Sequence, residues 1–248
     1  MRIALEIKNI NVRIFDKFLL KDINVKISNN TITGLIGNSG SGKSTLFKCI
    51  FGIQIPHNAN VTGEIFIFGE KLNRVNIQQI QPVFQDPISY FNPRWNLFKI
   101  LKEPLDIRFH LTENEKRQRI VSLLEEFGFY ESSLNKNIGK FSGGEMQRLS
   151  ILRAILAEPK IILMDEPVSA LDPLVQKEAV IFIKKICELK KLTILFISHD
   201  IEIVRWLCEE IYVMRNGQIV ENGKTKKVFL DPEQEYTKSL LDLTYSTN

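Results

Sequence analysis

Cysteine is scarce and charge is balanced: the 248 residues hold three cysteines and two tryptophans, and 33 Lys+Arg stand against 29 Asp+Glu. Cys49, Cys187 and Cys208 lie far apart in apolar surroundings without metal-finger spacing, which predicts buried thiols that pack as small hydrophobes. A net charge of +4 with acids and bases interleaved provides no basic stripe for nucleic acid. No apolar run approaches the roughly 18–20 residues of a membrane span. The amino terminus carries Arg2, Glu6, Lys8 and Arg13, so it has no signal-peptide core, and the expectation is a cytosolic chain. No internal repeat is visible. With 44% hydrophobic and 25% charged residues, the composition is that of a globular protein large enough to bury a core without disulfides.

The patterning that is present alternates between two periods. Residues 3–27 place Ile3, Leu5, Ile7, Ile10, Val12, Ile14, Ile23, Val25 and Ile27 at strand spacing, and Val61–Phe68 repeats it. Thr31–Ile36 reads as a short apolar strand, Ile161–Met164 is a wholly apolar run, as in a strand buried on both faces of a parallel sheet, and Leu192–Ile197 reads as another buried strand. The middle of the chain, about 88–157, reads as helical. Thr112–Glu115 and Ser142–Glu145 both fit capping boxes, and Gly128 supplies a stop. Asp172-Pro173 starts another helix, and Asn216-Gly217 marks a hairpin within Ile211–Val220. Strands alternating with helices predict an α/β protein with a parallel sheet.

The chemistry concentrates where strands end. Gly37-Asn38-Ser39-Gly40-Ser41-Gly42-Lys43-Ser44-Thr45 matches a phosphate-binding loop between a strand and a helix. Glycines let backbone amides close around phosphate oxygens, and the helix turns its positive end toward them. Lys43 would reach the β- and γ-phosphates, and Ser44 would ligate Mg²⁺. Asp165, ending a buried strand, is the natural second ligand, and Glu166 could take a proton from an attacking water. Taken alone, such an Asp-Glu pair is more often a solvated turn; the loop in the same chain favours the functional reading. Ser142-Gly143-Gly144 opens a helix with bare amides that could meet an anion. His199 follows a core strand and so faces the ligand end of the sheet.

Together these motifs resemble the nucleotide-binding subunit of an ABC transporter, over nearly the whole chain and in the family's order. The resemblance implies a P-loop ATPase fold: a RecA-like core at about 1–87 and 158–225 with an antiparallel N-terminal β subdomain, a helical insert at about 88–157, and a tail at about 226–248. It identifies Gln85 with the Q-loop glutamine that contacts Mg²⁺ and water and senses the permease. Ser142–Glu145 resembles the signature motif, Ile161–Asp165 with Glu166 the Walker B strand and catalytic glutamate, Ser169–Asp172 the D-loop, and His199 the switch histidine. ATP with Mg²⁺, the ion on Ser44, Gln85 and Asp165, would bind between the P-loop of one subunit and Ser142, Gly143 and Gly144 of another. Implied partners are a second ATPase subunit (a paralogue or another copy), two permeases and an extracytoplasmic substrate-binding protein, at the cytoplasmic face of a bacterial membrane.

Three departures stand out. Phe141 and Glu145 replace the signature's usual leucine and glutamine, and Glu145 brings negative charge near a γ-phosphate unless it turns back as a cap. The adenine-stacking aromatic, usually tyrosine, would be Phe15, with Phe18 the alternative. Phe84–Arg94 and Glu103-Pro104-Leu105 resemble the peptide/nickel importer subfamily, as does Glu235–Leu241 with glutamate in place of proline. The chain's stop at Asn248, without the cysteine-bearing extension of longer peptide importers, tilts the expectation slightly toward nickel or metal chelates over short peptides. A soluble ABC ATPase acting on DNA or ribosomes would need a long coiled coil or a second nucleotide domain. A hydrolysis-weak regulatory partner is disfavoured by Lys43, Asp165, Glu166 and His199.

Overall fold

The structure is a computed structural model that describes residues 2–53, 58–87 and 90–245. Ile88 and Ser89, part of the subfamily-like Phe84–Arg94 stretch, lie outside the described residues. The chain runs β1 (Ile3–Ile14), β2 (Lys17–Ser28), β3 (Ile32–Ile36), α1 (Lys43–Phe51), β4 (Ala59–Ile67), β5 (Glu70–Lys71) and β6 (Ile80–Val83). Three helices follow, α2 (Leu97–Arg108), α3 (Glu113–Glu126) and α4 (Gly143–Leu156). It closes with β7 (Ile161–Asp165), α5 (Pro173–Lys190), β8 (Thr193–Ile197), α6 (Ile201–Leu207), β9 (Glu210–Arg215), β10 (Gln218–Lys224), α7 (Thr225–Leu230) and α8 (Glu235–Tyr245).

Two sheets form, and the sequence pattern explains each. The period-two strands make an antiparallel sheet of order β2-β1-β4-β5, whereas the apolar runs enter a six-stranded sheet of order β10-β9-β3-β8-β7-β6. There β9, β3, β8, β7 and β6 pair in parallel and only β10 is antiparallel. Side chains alternate across a strand, so the parallel strands supply two cores at once. Ile32, Ile36, Ile162, Met164, Ile194 and Phe196 pack with the helices on one face. Leu35, Ile161, Leu163, Leu195, Ile197 and Met214 pack with α1 and the antiparallel sheet on the other. That double duty is why these runs have no polar alternation. The Tyr212 hydroxyl ties the sheets together, accepting from Lys26 N–H and donating to the Lys26 carbonyl, both at 2.9 Å.

The helices begin where side chains can hold their first amides. Thr112 and Ser142 each close a capping box, with Glu115 and Glu145. Past α3, Gly128 at φ +81° follows the helix end, and Phe129 N–H returns to the Leu124 carbonyl at 2.8 Å. Asp172 caps α5, with Pro173 in its first turn. An aromatic string, Phe51–Phe47–Phe84–Tyr90–Phe91, joins α1 to the segment before α2, with centroid separations of 5.1, 5.5, 5.3 and 4.9 Å. All three cysteines are buried and unpaired, as their apolar contexts predict. Burial pushes the Cys187 thiol up to about 12. Among the described residues, no helix is long and apolar enough to cross a membrane.

The β9–β10 turn serves more than its own hairpin. Gly217, at φ +75°, has no room for a Cβ: one would come within 2.3 Å of the Leu19 carbonyl oxygen. Its carbonyl accepts from Lys21 N–H at 2.8 Å, and its N–H donates to Ser41 in the glycine-rich loop at 2.7 Å. Gly217→Ala therefore combines a disfavoured backbone conformation with a backbone clash. It should destabilise the protein by at least about 1 kcal/mol in a denaturant melt, whereas alanine at exposed Asn222 on the same hairpin should leave the midpoint nearly unchanged.

Candidate functional site

The parallel order puts the carboxyl ends of β3, β8 and β7 side by side, and the motif residues follow those ends directly. Gly37 leaves β3 at φ +152°, where a Cβ would stand 2.2 Å from the Met214 carbonyl oxygen. From there the loop returns to α1 through Gly42 at φ +113°. Asn38, Ser39 and Gly40 are exposed, Ser41 is buried, Ser44 is exposed and Thr45 half-buried.

Lys43 is only 5% exposed. Its ammonium donates to the Gly37 carbonyl at 2.6 Å and the Asn38 carbonyl at 3.1 Å, with Ser41 Oγ at 3.5 Å. Burial holds its pKa below the ordinary lysine value, and the charges of Glu166 and Asp165 act against that shift. A buried cation is costly unless it is paired and hydrogen-bonded, and here the loop and the two carboxylates supply both.

Asp165 ends β7. Burial raises its carboxyl above the ordinary aspartate value and Glu166 adds to the rise, while the Ser44 hydroxyl and Lys43 ammonium pull it back. Asp165 Oδ1 is buried and has no hydrogen-bond partner. An orphaned carboxylate oxygen next to a serine hydroxyl suits a hard cation. Mg²⁺ in particular is bound through few protein oxygens, and among the described residues no cluster of three or more His, Cys, Asp and Glu forms a richer metal site.

Glu166 adopts φ +48°, a left-handed conformation uncommon for a non-glycine residue. The backbone bonds around it maintain that geometry: its N–H donates to the Ile197 carbonyl at 2.9 Å, and its carbonyl accepts from Ser169 Oγ at 3.1 Å. Its half-buried carboxylate lies 3.1 Å from His199 Nδ1. His199 follows β8, which pairs with β7 through Asp165 and Ile197. Gln85 is exposed two residues beyond β6, whose Val83 pairs with Met164 of β7. The fold thus gathers Gly37–Thr45, Asp165, Glu166 and His199, with Gln85 following the neighbouring strand.

Ser142, Gly143 and Gly144 are not part of that gathering. A Cβ on Gly143 would lie closest to Leu171, and one on Gly144 would meet Val175 Cγ1 at 2.4 Å, so the motif sits against the Ser169–Asp172 segment and the start of α5. Its capping box satisfies two amides, Ser142 N–H on Glu145 Oε2 at 2.8 Å and Glu145 N–H on Ser142 Oγ at 3.3 Å. Gly143 and Gly144 N–H, the next two at the helix start, have no acceptor within the helix. Glu145 does turn back as a cap, the arrangement that would reconcile its charge with a nearby anion. Phe141, at the leucine position, is buried.

Phe15, at the β1–β2 turn, is 81% exposed, and Phe18 is 44% exposed beneath Arg13 and Lys21. This hairpin borders the glycine loop, since Leu20 of β2 limits the space at Gly42 to 3.0 Å. Two contacts escaped the motif reading. Tyr236 Oη accepts from Asn38 N–H at 3.1 Å across 198 residues, and Ser169 steadies Glu166. The first has no local signal; the second could have been found from the serine three residues after the strand-terminal glutamate.

The profile of the ABC transporter family matches residues 20–169. Over 237 residues the chain is 37% identical to the oligopeptide transport ATP-binding protein OppF of Lactococcus lactis subsp. lactis, covering 92% of this chain and 73% of that one. It is also 37% identical to the ABC transporter ATP-binding protein YejF of Escherichia coli, with 96% of this chain matching 46% of that protein, so it spans about half of that relative. Among solved structures, a dimeric ATP-binding cassette in a post-hydrolysis state with ADP and Pi superposes with a TM-score of 0.74 at 27% identity, covering 89% of this chain and 98% of that one.

The Glu145 cap predicts a pH signature. Its backbone hydrogen bond with Ser142 holds the Glu145 carboxyl below the ordinary glutamate value. A depressed carboxylate stabilises the fold above the unfolded value of about 4.3 and loses that contribution as pH falls through its folded value. Glu145→Gln keeps an acceptor for Ser142 N–H but cannot titrate. The melting temperature of the wild type should therefore fall more steeply than that of the variant between about pH 5 and pH 3.

Proposed function

The chain belongs to the ABC transporter family and carries its ATPase domain, and from that premise we propose that it is the ATP-hydrolysing subunit of an importer for short peptides. The observation that carries the mechanism is the division of the motifs: the glycine loop, Asp165, Glu166 and His199 gather at the carboxyl ends of β3, β7 and β8, whereas Ser142–Gly144 sits against Leu171 and Val175. Such a division gives each chain two halves of different ATP sites. Two subunits then pair head to tail, so that loop amides and Lys43 of one hold the β- and γ-phosphates and the Gly143 and Gly144 amides of the other close over the γ-phosphate. The dimeric cassette with ADP and Pi supports this pairing.

Within the closed site Phe15 stacks on the adenine. Glu166 accepts a proton from the attacking water, and His199 holds the carboxylate and steadies charge at the γ-phosphate. Ser44 and Asp165, joined by Gln85, would hold Mg²⁺, which supplies charge neutralisation between the phosphates when bound. Gln85 reports ion and water occupancy to the permease through the segment that leads into α2. Residues 1–87 and 158–225 serve as the ATP-binding core, 88–157 as the insert that presents Ser142–Gly144, and 226–248 as the tail. Closure of the dimer on ATP moves the permeases, and hydrolysis releases it.

The partners are a second ATPase subunit, two permeases and an extracytoplasmic binding protein, with this chain peripheral at the cytoplasmic face. The relative named for oligopeptide transport supports peptides over the nickel or metal chelates that the sequence slightly favoured. The test is co-purification from membranes and reconstitution in liposomes. Phosphate release should rise with a peptide-loaded binding protein, and Glu166→Gln should lower it by about 10²-fold or more while ATP binding persists. A soluble chain without permeases, or a mutant with unchanged turnover, would overturn the reading. For the chain alone, turnover per subunit should decline on dilution.

A further inference from the structure

Helix α8 (Glu235–Tyr245), in the tail, attaches to the glycine-rich loop. The Gly37–Asn38 peptide unit is held at both ends. Its carbonyl, on Gly37, accepts from Lys43 Nζ at 2.6 Å. Its N–H, on Asn38, donates to Tyr236 Oη at 3.1 Å. One planar unit therefore links the loop lysine to the second residue of α8, and it cannot rotate without breaking both bonds.

Tyr236 is itself fixed. The Arg215 guanidinium lies 4.8 Å from its ring centroid, and Arg215 ends β9, immediately before the turn whose Gly217 bonds to Ser41. The approach to α8 is pinned by Glu221, 9% exposed, whose two carboxylate oxygens accept from Glu233 N–H at 2.8 Å and Gln234 N–H at 3.1 Å. Beyond Tyr236, Thr237 is fully buried, and Leu240 and Leu241 enter the core shared with the helices. The phenol is thus a rigid acceptor set by tertiary packing.

We propose that Tyr236 is a positioning residue for ATP: its hydroxyl orients the Gly37–Asn38 peptide, and through it the phosphate loop and Lys43. This rests on the ATP-site reading above. Asn38 N–H is directed to the tail and Ser41 N–H to the Asn38 carbonyl at 3.1 Å, so phosphate oxygens would be met by other amides of the loop. Without the hydroxyl the peptide can swing, and the loop must be ordered anew at each binding event. The cost falls on nucleotide affinity rather than on the chemical step, because Glu166 and His199 follow other strands, β7 and β8.

The experiment uses the full chain. Tyr236→Phe keeps the ring under Arg215 and removes only the acceptor. Its dissociation constant for Mg-ATP, by titration calorimetry, should rise about three- to tenfold, the worth of one hydrogen bond, with kcat within about twofold of wild type. Hydrogen exchange without nucleotide should accelerate over residues 37–45 while the melting temperature stays put. Arg215→Lys, which retains a cation over the ring, should resemble wild type. Unchanged affinity and exchange in Tyr236→Phe would overturn the proposal. So would a lowered melting temperature with KM and kcat altered together, the mark of a merely structural role. If the wild type failed to bind ATP, the ATPase reading would fall, and the nucleotide-free exchange would still decide whether Tyr236 orders the loop.

Discussion

A lysine ammonium folded beneath its own loop is the constraint around which this molecule is arranged. Burying the charge of Lys43 is unfavourable, and the surrounding groups offset it with two carbonyls of the loop and the fields of Asp165 and Glu166. Those carbonyls converge only if Gly37 and Gly42 take conformations closed to other residues, with the Met214 carbonyl against Gly37. The two carboxylates reach the loop only because β7 and β3 flank β8 in a parallel sheet that aligns their carboxyl ends. The β9–β10 turn and the tail then close on the loop from outside through Gly217 and Tyr236. Strand order, glycine placement and tail docking thus converge on one cation.

The same arrangement underlies the head-to-tail pairing proposed above. Helices α2–α4 depart after β6 and return at β7, carrying Ser142–Gly144 against Leu171 and Val175. Free amides at a helix start attract anions but bind them weakly on their own. In the proposed pairing they would be shared across an interface with a phosphate loop, as half of a clamp with ATP between the subunits. Glu145 fits this scheme because its carboxylate is already occupied by Ser142 N–H.

Much of this was legible from the residues, for definite reasons. The glycine loop, both capping boxes, the Asp172-Pro173 start and the Asn216-Gly217 turn are short-range features whose partners lie within a few residues. The buried strands were legible because their apolar runs lack alternation, and the structure shows why, with opposite faces feeding two cores. The extent of the strands was less legible: β4 begins at Ala59, and β10 continues past Val220 to Lys224, since pairing extends through polar residues on an exposed hairpin. The left-handed Glu166 was invisible, because its strain is held by Ile197 on another strand. So was Tyr236, whose acceptor role depends on Arg215 and Glu221.

What the sequence determined by itself is chemical type and local geometry: a phosphate loop, a strand-terminal acid pair, a helix with bare glycine amides, and the family that owns this set. Periodicity and short motifs encode such things because their physics acts over a few residues. Only the tertiary structure decided which of these groups meet. It brought Glu166 within 3.1 Å of His199, left the Asp165 oxygen without a partner, directed Ser142–Gly144 elsewhere, and hooked the tail to the loop. Those outcomes depend on strand order and packing across as many as 198 residues, and no local pattern specifies a contact over that distance.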